Sequence, residues 1–259
     1  QRRATVFPPS CLDHRLMPDY ARIYARQEYM TPGAAETVAI IAETVRPDEN
    51  TLLLEIAAGK GEASSTLAGQ FGCQIVAVEP YDAFVHIAAA KFWFFNLRDL
   101  VSLLRADGRR LPLRDATVDA AYCIGAPSIV GLEAAFAEMA RVVKPGGWAF
   151  GSDIIWREKP GPLSDEWKWL SGAQQMTVEE YSAAIAAAGL TVERVQVHAR
   201  EVWEEYFRGM LEVAHEAKTS QPADIFFADE VESGVELERR AVETWLDYAT
   251  FVARRPLSL

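Results

Sequence analysis

Short apolar runs alternate along this chain with longer stretches whose apolar residues recur every three or four positions, and most of the short runs close on an acid or a glycine. The first run, 51–56, sets Leu52, Leu53, Leu54 and Ile56 around Glu55 and leads into a turn of mostly small residues, Ala57, Ala58, Gly59, Lys60 and Gly61. A continuous apolar run of this length suits a strand buried on both faces. Ser64, Ser65, Thr66, Leu67 and Ala68 then read as a helix, so the unit is strand, tight turn, helix, with N–H groups directed at the turn. The same alternation predicts a second strand over 74–80 that contains Glu79, a helix over 82–95, a third strand over 100–107 ending at Asp107, and a fourth over 118–125 ending at Gly125. A helix over 132–143, a turn at 144–147 and a fifth strand over 148–154 continue the series.

Further on, Thr177 with Glu180 three positions later forms a capping-box pattern that opens a helix over 177–188, closed by Gly189. A sixth strand over 191–197, a largely helical stretch over 201–245 and a last strand over 248–254 complete the chain. Alternating strands and helices need right-handed crossovers, which put helices on both faces of a parallel sheet. The expected fold is α/β and Rossmann-like: seven strands, mostly parallel, the last antiparallel, with a helical cap. No linker or repeat divides the 259 residues, which suits a single domain. Within it we expect an N-terminal arm or lid (1–30), a core (31–200), a helical cap insertion (201–245) and a terminal strand (246–259). Ligands of such sheets sit at the carboxyl ends of the strands, and that rule places Glu55, Glu79 and Asp107 along one rim. A carboxylate closing a buried strand is costly without a partner, so Glu55 calls for a cationic or hydroxyl-rich ligand.

Half of the residues are hydrophobic and the formal charge is -11, a balance that argues against a phosphate backbone as partner. Arg105, Arg109, Arg110 and Arg114 are interleaved with apolar residues and acids and read as solvated surface. No apolar stretch is long enough to span a bilayer and no signal-peptide pattern opens the sequence, so a cytoplasmic protein with no membrane partner is expected. Cys11, Cys73 and Cys123 have no metal-ligand spacing and read as reduced. His14, His86, His198 and His215 form no local metal motif, so no metal is expected. His86 is expected to face ligand or core.

The pattern Glu55-x-Ala57-x-Gly59-x-Gly61 resembles the first motif of the class I S-adenosylmethionine-dependent methyltransferases, with Ala57 where that family has its first glycine. The stretch 109–119 resembles the family's lead into its fourth strand, and 140–147 its lead into the fifth. The resemblance runs from Thr31 to Arg254 and lies near the ubiquinone-methyltransferase-like branch, which acts on small molecules. It implies S-adenosylmethionine as cofactor. Glu55 then lies at the methionine end, Glu79 with Pro80 at the ribose hydroxyls, and Asp107 with Gly108 and the Arg109 N–H at the adenine. Ala57, Gly59 and Gly61 line the cofactor's approach, and Gly125, Ala126 and Ser128 lie near the transferred methyl. A nicotinamide-binding fold is the nearest rival, but it prefers Gly-x-Gly-x-x-Gly where this chain has Gly59-x-Gly61-x-x-Ser64. Taken singly, the strand-end acids are also good helix caps or turn formers.

Aromatic residues cluster in the segments expected to cover the strand ends: Tyr20, Tyr24 and Tyr29; Trp156, Trp167 and Trp169; Trp203, Tyr206 and Phe207. Most such rings pack a cap against a sheet. Tyr24, Ser128, Trp156, Trp203 and Tyr206 are the expected acceptor pocket. An N-terminal arm with Pro8, Pro9, His14 and Pro18 is a candidate lid. In-line methyl displacement is mainly a positioning problem, so no catalytic residue is assigned. The expectation is a methyltransferase acting on a small molecule, with the oligomeric state, monomer or homodimer, left open. The alternative is a non-catalytic S-adenosylmethionine-binding module or regulatory partner, which Ala57 and the lack of an evident base keep open.

Overall fold

In the computed structural model, which describes residues 24, 27–159, 161, 176–220 and 225–257, the leucines and isoleucine around Glu55 form β1 (Leu52–Ile56), buried from Leu53 onward. It lies at the middle of a seven-stranded sheet of order β3-β2-β1-β4-β5-β7-β6. The other strands are β2 (Gln74–Val78), β3 (Val101–Leu104), β4 (Val118–Ile124), β5 (Val143–Trp156), β6 (Thr191–Val197) and β7 (Leu246–Arg254). Parallel pairing joins β1 to β2 and β4, β2 to β3, and β4 to β5. Only β7 runs against its neighbours, β5 and β6. The predicted mostly parallel sheet with an antiparallel last strand is therefore what the chain forms.

The described helices are α1 (Ala34–Val45), α2 (Glu62–Phe71), α3 (Asp82–Phe94), α4 (Pro127–Val130), α5 (Leu132–Val142), α6 (Val178–Ala187), α7 (Glu201–Ser220) and α8 (Ile225–Thr244). On one face of the sheet Leu53, Ile75, Tyr122 and Phe150 pack with Ile41, Leu67 and Phe92 of α1, α2 and α3. On the other, Leu54, Ile56, Cys123 and Phe251 pack with Phe136 and Met139 of α5 and Tyr181 of α6. Leu53 is fully buried, so truncating it to Ala would cost about 2–5 kcal/mol. A third cluster gathers the cap helices α7 and α8 over the end of β7.

Three local expectations need correction. The third strand ends at Leu104 rather than 107, because the Asp107 carboxylate accepts from the Arg109 N–H (2.9 Å) and closes a turn outside the sheet. The 144–147 turn lies inside β5 as a bulge: Val143 sits opposite Val118 and Trp148 opposite Ala120. The Gly146 N–H donates to the Arg255 carbonyl and the Arg255 N–H to the Gly147 carbonyl (2.9 Å each), which holds the bulge against the end of β7. The short helix α4 was not expected at all. The Thr177 and Glu180 capping box does form at the start of α6. Tyr20, Trp167, Trp169, His14 and Cys11 lie outside the described residues, as do residues 1–23 of the arm.

Candidate functional site

The turn after β1 is built from three left-handed residues, Ala57 (φ 56°), Gly59 (φ 54°) and Gly61 (φ 78°). Gly61 is demanded by packing, since a Cβ there would lie 2.6 Å from the Phe92 ring of α3. Gly59 lies beside Met30, whose Sδ would be 3.0 Å from an added Cβ. Ala57 holds its φ with a side chain present, at a cost of about 1–2 kcal/mol.

Two buried carboxylates brace this turn from below. Glu55, 4% exposed, accepts through Oε2 from the Ser64 N–H (3.2 Å) and hydroxyl and, more weakly, from the Tyr122 hydroxyl (3.5 Å). Glu79, just past β2 and 3% exposed, accepts from the Gly59 N–H (2.8 Å) and the Tyr81 N–H (3.0 Å). Burial pushes the Glu55 carboxyl up to about 7, against the Ser64 bonds, and the Glu79 charge adds to the rise. Burial raises Glu79 as well, against its two backbone donors.

Farther along the same edge, Asp107 is exposed and paired with Arg109 through Nε (3.0 Å) and Nη2 (2.6 Å), which holds its carboxyl below the usual range. Gly108 lets that loop fold against β1, since a Cβ would meet Ile56 at 2.5 Å. Pro80 is exposed. Across β4, Gly125 (φ 67°) lies under Thr31, which an added Cβ would strike at 2.5 Å. The Ser128 N–H donates to Asp153 Oδ2 (2.9 Å), and burial pushes that carboxyl up to about 6. Asp153 thus caps α4 and fixes the path after Gly125. His86 is exposed on α3, contrary to the expectation that it faces ligand or core.

A strap of residues before α1 crosses these strand ends. Buried Lys60, in the glycine turn, donates through Nζ to the Gln27 carbonyl, and Gln27 Nε2 donates to the Tyr206 carbonyl of α7 (2.9 Å). Tyr24 and Tyr206 share a hydroxyl bond (3.1 Å), Tyr29 meets Thr66 (3.2 Å), and Met30 and Thr31 cover Gly59 and Gly125. Trp156, Trp203, Tyr206 and Tyr24 are all buried in the cap cluster, with Trp203 edge-on to Tyr206 and Tyr248. The expected acceptor aromatics therefore come together, whereas Asp107 and Arg109 stand apart at the solvent edge. Sequence reading missed Lys60, Gln27, Met30, Thr31 and Asp153. Only Asp153, an acid inside a long apolar strand, carried a local signal.

Residues 54–151, which contain the braced turn, the Asp107 loop and the β4 end, match the family model described as a methyltransferase domain. An O-methyltransferase, cnsE, of Penicillium expansum is 24% identical over 135 residues, covering 48% of each chain. The chain spans about half the length of the curated relatives it matches. An S-adenosylmethionine-dependent methyltransferase from Thiobacillus denitrificans, solved with S-adenosylhomocysteine, superposes with a TM-score of 0.74 at 19% identity over 90% of this chain and 96% of that one. The [4+2]-cyclase SpnF gives 0.76 at 21% identity over 99% and 100%. Likeness at these identities is one of fold. The chain therefore has the Rossmann-like fold of these class I methyltransferase structures, with its braced turn inside the matched segment. Among the described residues no group of three or more His, Cys, Asp and Glu side chains is placed to hold a metal, and no helix is long and apolar enough to cross a membrane.

Proposed function

We propose that the chain is an S-adenosylmethionine-dependent methyltransferase that transfers a methyl group to a small-molecule acceptor. The observation that carries this reading is the glycine turn braced by two buried carboxylates, Glu55 and Glu79, at the carboxyl edge of the sheet within the matched segment. These residues fit the cofactor. Both carboxyls are held above their usual range by burial, so a cation and a pair of hydroxyls relieve a cost already present. The buried Ser65 hydroxyl beside the turn has no partner among the described residues and offers a further polar contact.

S-adenosylmethionine, when bound, supplies a methyl group activated on a sulfonium. In this reading Glu55 serves the methionine end, Glu79 and Pro80 the ribose, and Asp107, Gly108 and Arg109 the adenine. Ala57, Gly59 and Gly61 line the approach, and Gly125 and Ser128 border the reacting centre. Tyr24, Trp156, Trp203 and Tyr206 form the acceptor chamber, so residues 31–200 serve as core and 201–245 as cap of one domain. The strap excludes water and orients the acceptor, and such positioning supplies on the order of 7–11 kcal/mol of a barrier.

Calorimetry with S-adenosylmethionine and S-adenosylhomocysteine tests the cofactor: tight binding to the native chain that Glu79→Ala abolishes supports the reading, and no binding of either by the native chain ends it. A second reading, cofactor binding without methyl transfer, is favoured by the strained Ala57 and by the full-length likeness to a cyclase. Incubation with methyl-labelled cofactor and a metabolite extract separates the two, since only a methyltransferase produces a labelled product that Trp203→Ala or Tyr206→Ala removes.

A further inference from the structure

Glu238 breaks the pattern of α8. The buried face of that helix carries Ala228, Val231, Val235, Ala241 and Val242, and Glu238, 2% exposed, lies at the centre of the same face. Its Oε2 is buried with no hydrogen-bond partner among the described residues. Burial alone pushes its carboxyl up to about 8. An apolar side chain would complete the stripe, whereas an unpartnered carboxyl is among the costliest groups to bury. The residues one turn to either side on the same face, Gly234 and Ala241, are small.

The register of the cap places this carboxyl. Arg239 Nη2 donates to Glu204 (2.9 Å) and Arg200 Nη2 to the Glu243 carbonyl (3.3 Å), so α8 runs antiparallel to α7 with Glu238 level with the turn from Trp203 to Phe207. The Arg239 guanidinium lies 5.2 Å from the centre of the Phe207 ring. The apolar neighbours of Glu238 belong to one cluster with Trp203 and Tyr206, and Met30 packs against that cluster while covering Gly59. One packed apolar cluster therefore reaches from Met30, over the glycine turn, to the neighbours of Glu238.

We propose that Glu238 anchors a protonated amino group of the methyl acceptor inside the cap, beside the Trp203 and Tyr206 rings. This rests on the methyltransferase reading and names the acceptor's class. An ammonium brings donors to an oxygen that has none, stabilises the ionised form of the carboxyl against its burial, and is attracted to aromatic faces. A carboxylate or phosphate at that place meets like charge, and an alcohol supplies one donor without charge. A protonated nitrogen has no lone pair, so the anchored amine is a handle and the methyl goes to another atom of the acceptor. No bond is made or broken at Glu238.

The test uses the full chain with simple probes. Unfolding midpoints are measured with butylammonium or benzylammonium chloride, with butanol or benzyl alcohol, and with sodium benzoate, all at matched ionic strength. At saturation the two ammonium probes should raise the native midpoint by about 2–4 °C, and the alcohols and benzoate should not. Glu238→Gln, which keeps the shape and removes the charge, should abolish that rise while leaving S-adenosylhomocysteine binding intact. Equal shifts in native and Gln chains, or no shift with either ammonium, would overturn the assignment. Calorimetry with S-adenosylhomocysteine on the same samples reports the cofactor separately, so its failure counts against the methyltransferase reading and the ammonium shifts still decide Glu238.

Discussion

Ala57 holds a backbone conformation that costs an L-residue about 1–2 kcal/mol, while its single methyl packs only partly buried against the core. Glycine adopts the same φ without that cost but loses about 0.5–1 kcal/mol of chain entropy on folding. The balance favours glycine. Ala57→Gly should therefore raise stability by about 0.5–1 kcal/mol in urea denaturation, with the dependence on denaturant unchanged. A loss of stability would mean that the Ala57 methyl makes a packing contact worth more than the strain. Glu55 and Glu79 differ from Ala57 in kind. Their carboxyls are satisfied by Ser64, Gly59 and Tyr81 in the chain alone, so each has a structural role before any ligand arrives. Glu79→Ala removes a brace as well as the proposed ribose contact, and its calorimetry is best read beside Glu79→Gln, whose amide oxygen still accepts from one N–H.

At the scale of elements, the strap joins the glycine turn to the cap through one lysine. Lys60 leaves the glycine turn to hold the Gln27 carbonyl, and Gln27 in turn holds α7. Lys60→Met keeps the length of the side chain and leaves that carbonyl without its donor, a loss of about 1–3 kcal/mol. Hydrogen exchange should then quicken at 27–33 while β1 and β4 stay protected, and affinity for S-adenosylhomocysteine should fall about tenfold. Unchanged exchange over 27–33 would show that the strap is held by Met30, Thr31 and Tyr24 alone. The strands of this fold were legible because buried parallel strands need continuous apolar runs, and an acid or glycine lies at the exits of β1, β2 and β4. The 144–147 bulge was not, because its partners come from Arg255, far along the chain. The short α4 was hidden for the same reason, its cap being Asp153 on another strand. Glu55 and Glu79 were read correctly as strand-end acids at one rim, but their contacts with Ser64 and Gly59 depend on how the turn folds back. Glu238 is a misfit only once the span of α8 and its buried face are known.

Across the whole molecule, several carboxyls are buried where ionisation is penalised. Burial pushes Asp153 up to about 6, Glu55 to about 7 and Glu238 to about 8, and raises Glu79 as well. The unfolded chain releases these protons near pH 4–4.5, whereas the folded chain keeps them longer. Between those limits the folded state binds more protons, so stability is fully present below the unfolded values and is lost as pH rises through the folded ones. The slope is about 1.4 kcal/mol per pH unit for each proton retained. His198, whose pKa burial lowers, works in the other direction across its own titration, one group against four. Asp107 and Glu138, held low by Arg109 and Arg141, set the acid limit, because their contribution disappears as pH falls through their depressed values. Self-repulsion of a chain with formal charge -11 adds to the alkaline loss. Urea midpoints measured in steps from about pH 5 to pH 8.5 should therefore decline throughout, a window set by the raised carboxyls. Glu238→Gln should flatten the upper part of that decline and make the protein more stable than the native chain above about pH 7, because an amide cannot ionise. A native profile level across the window would mean that these carboxyls reach water or hidden partners in solution, and the cap would then hold no buried charge for an ammonium to balance.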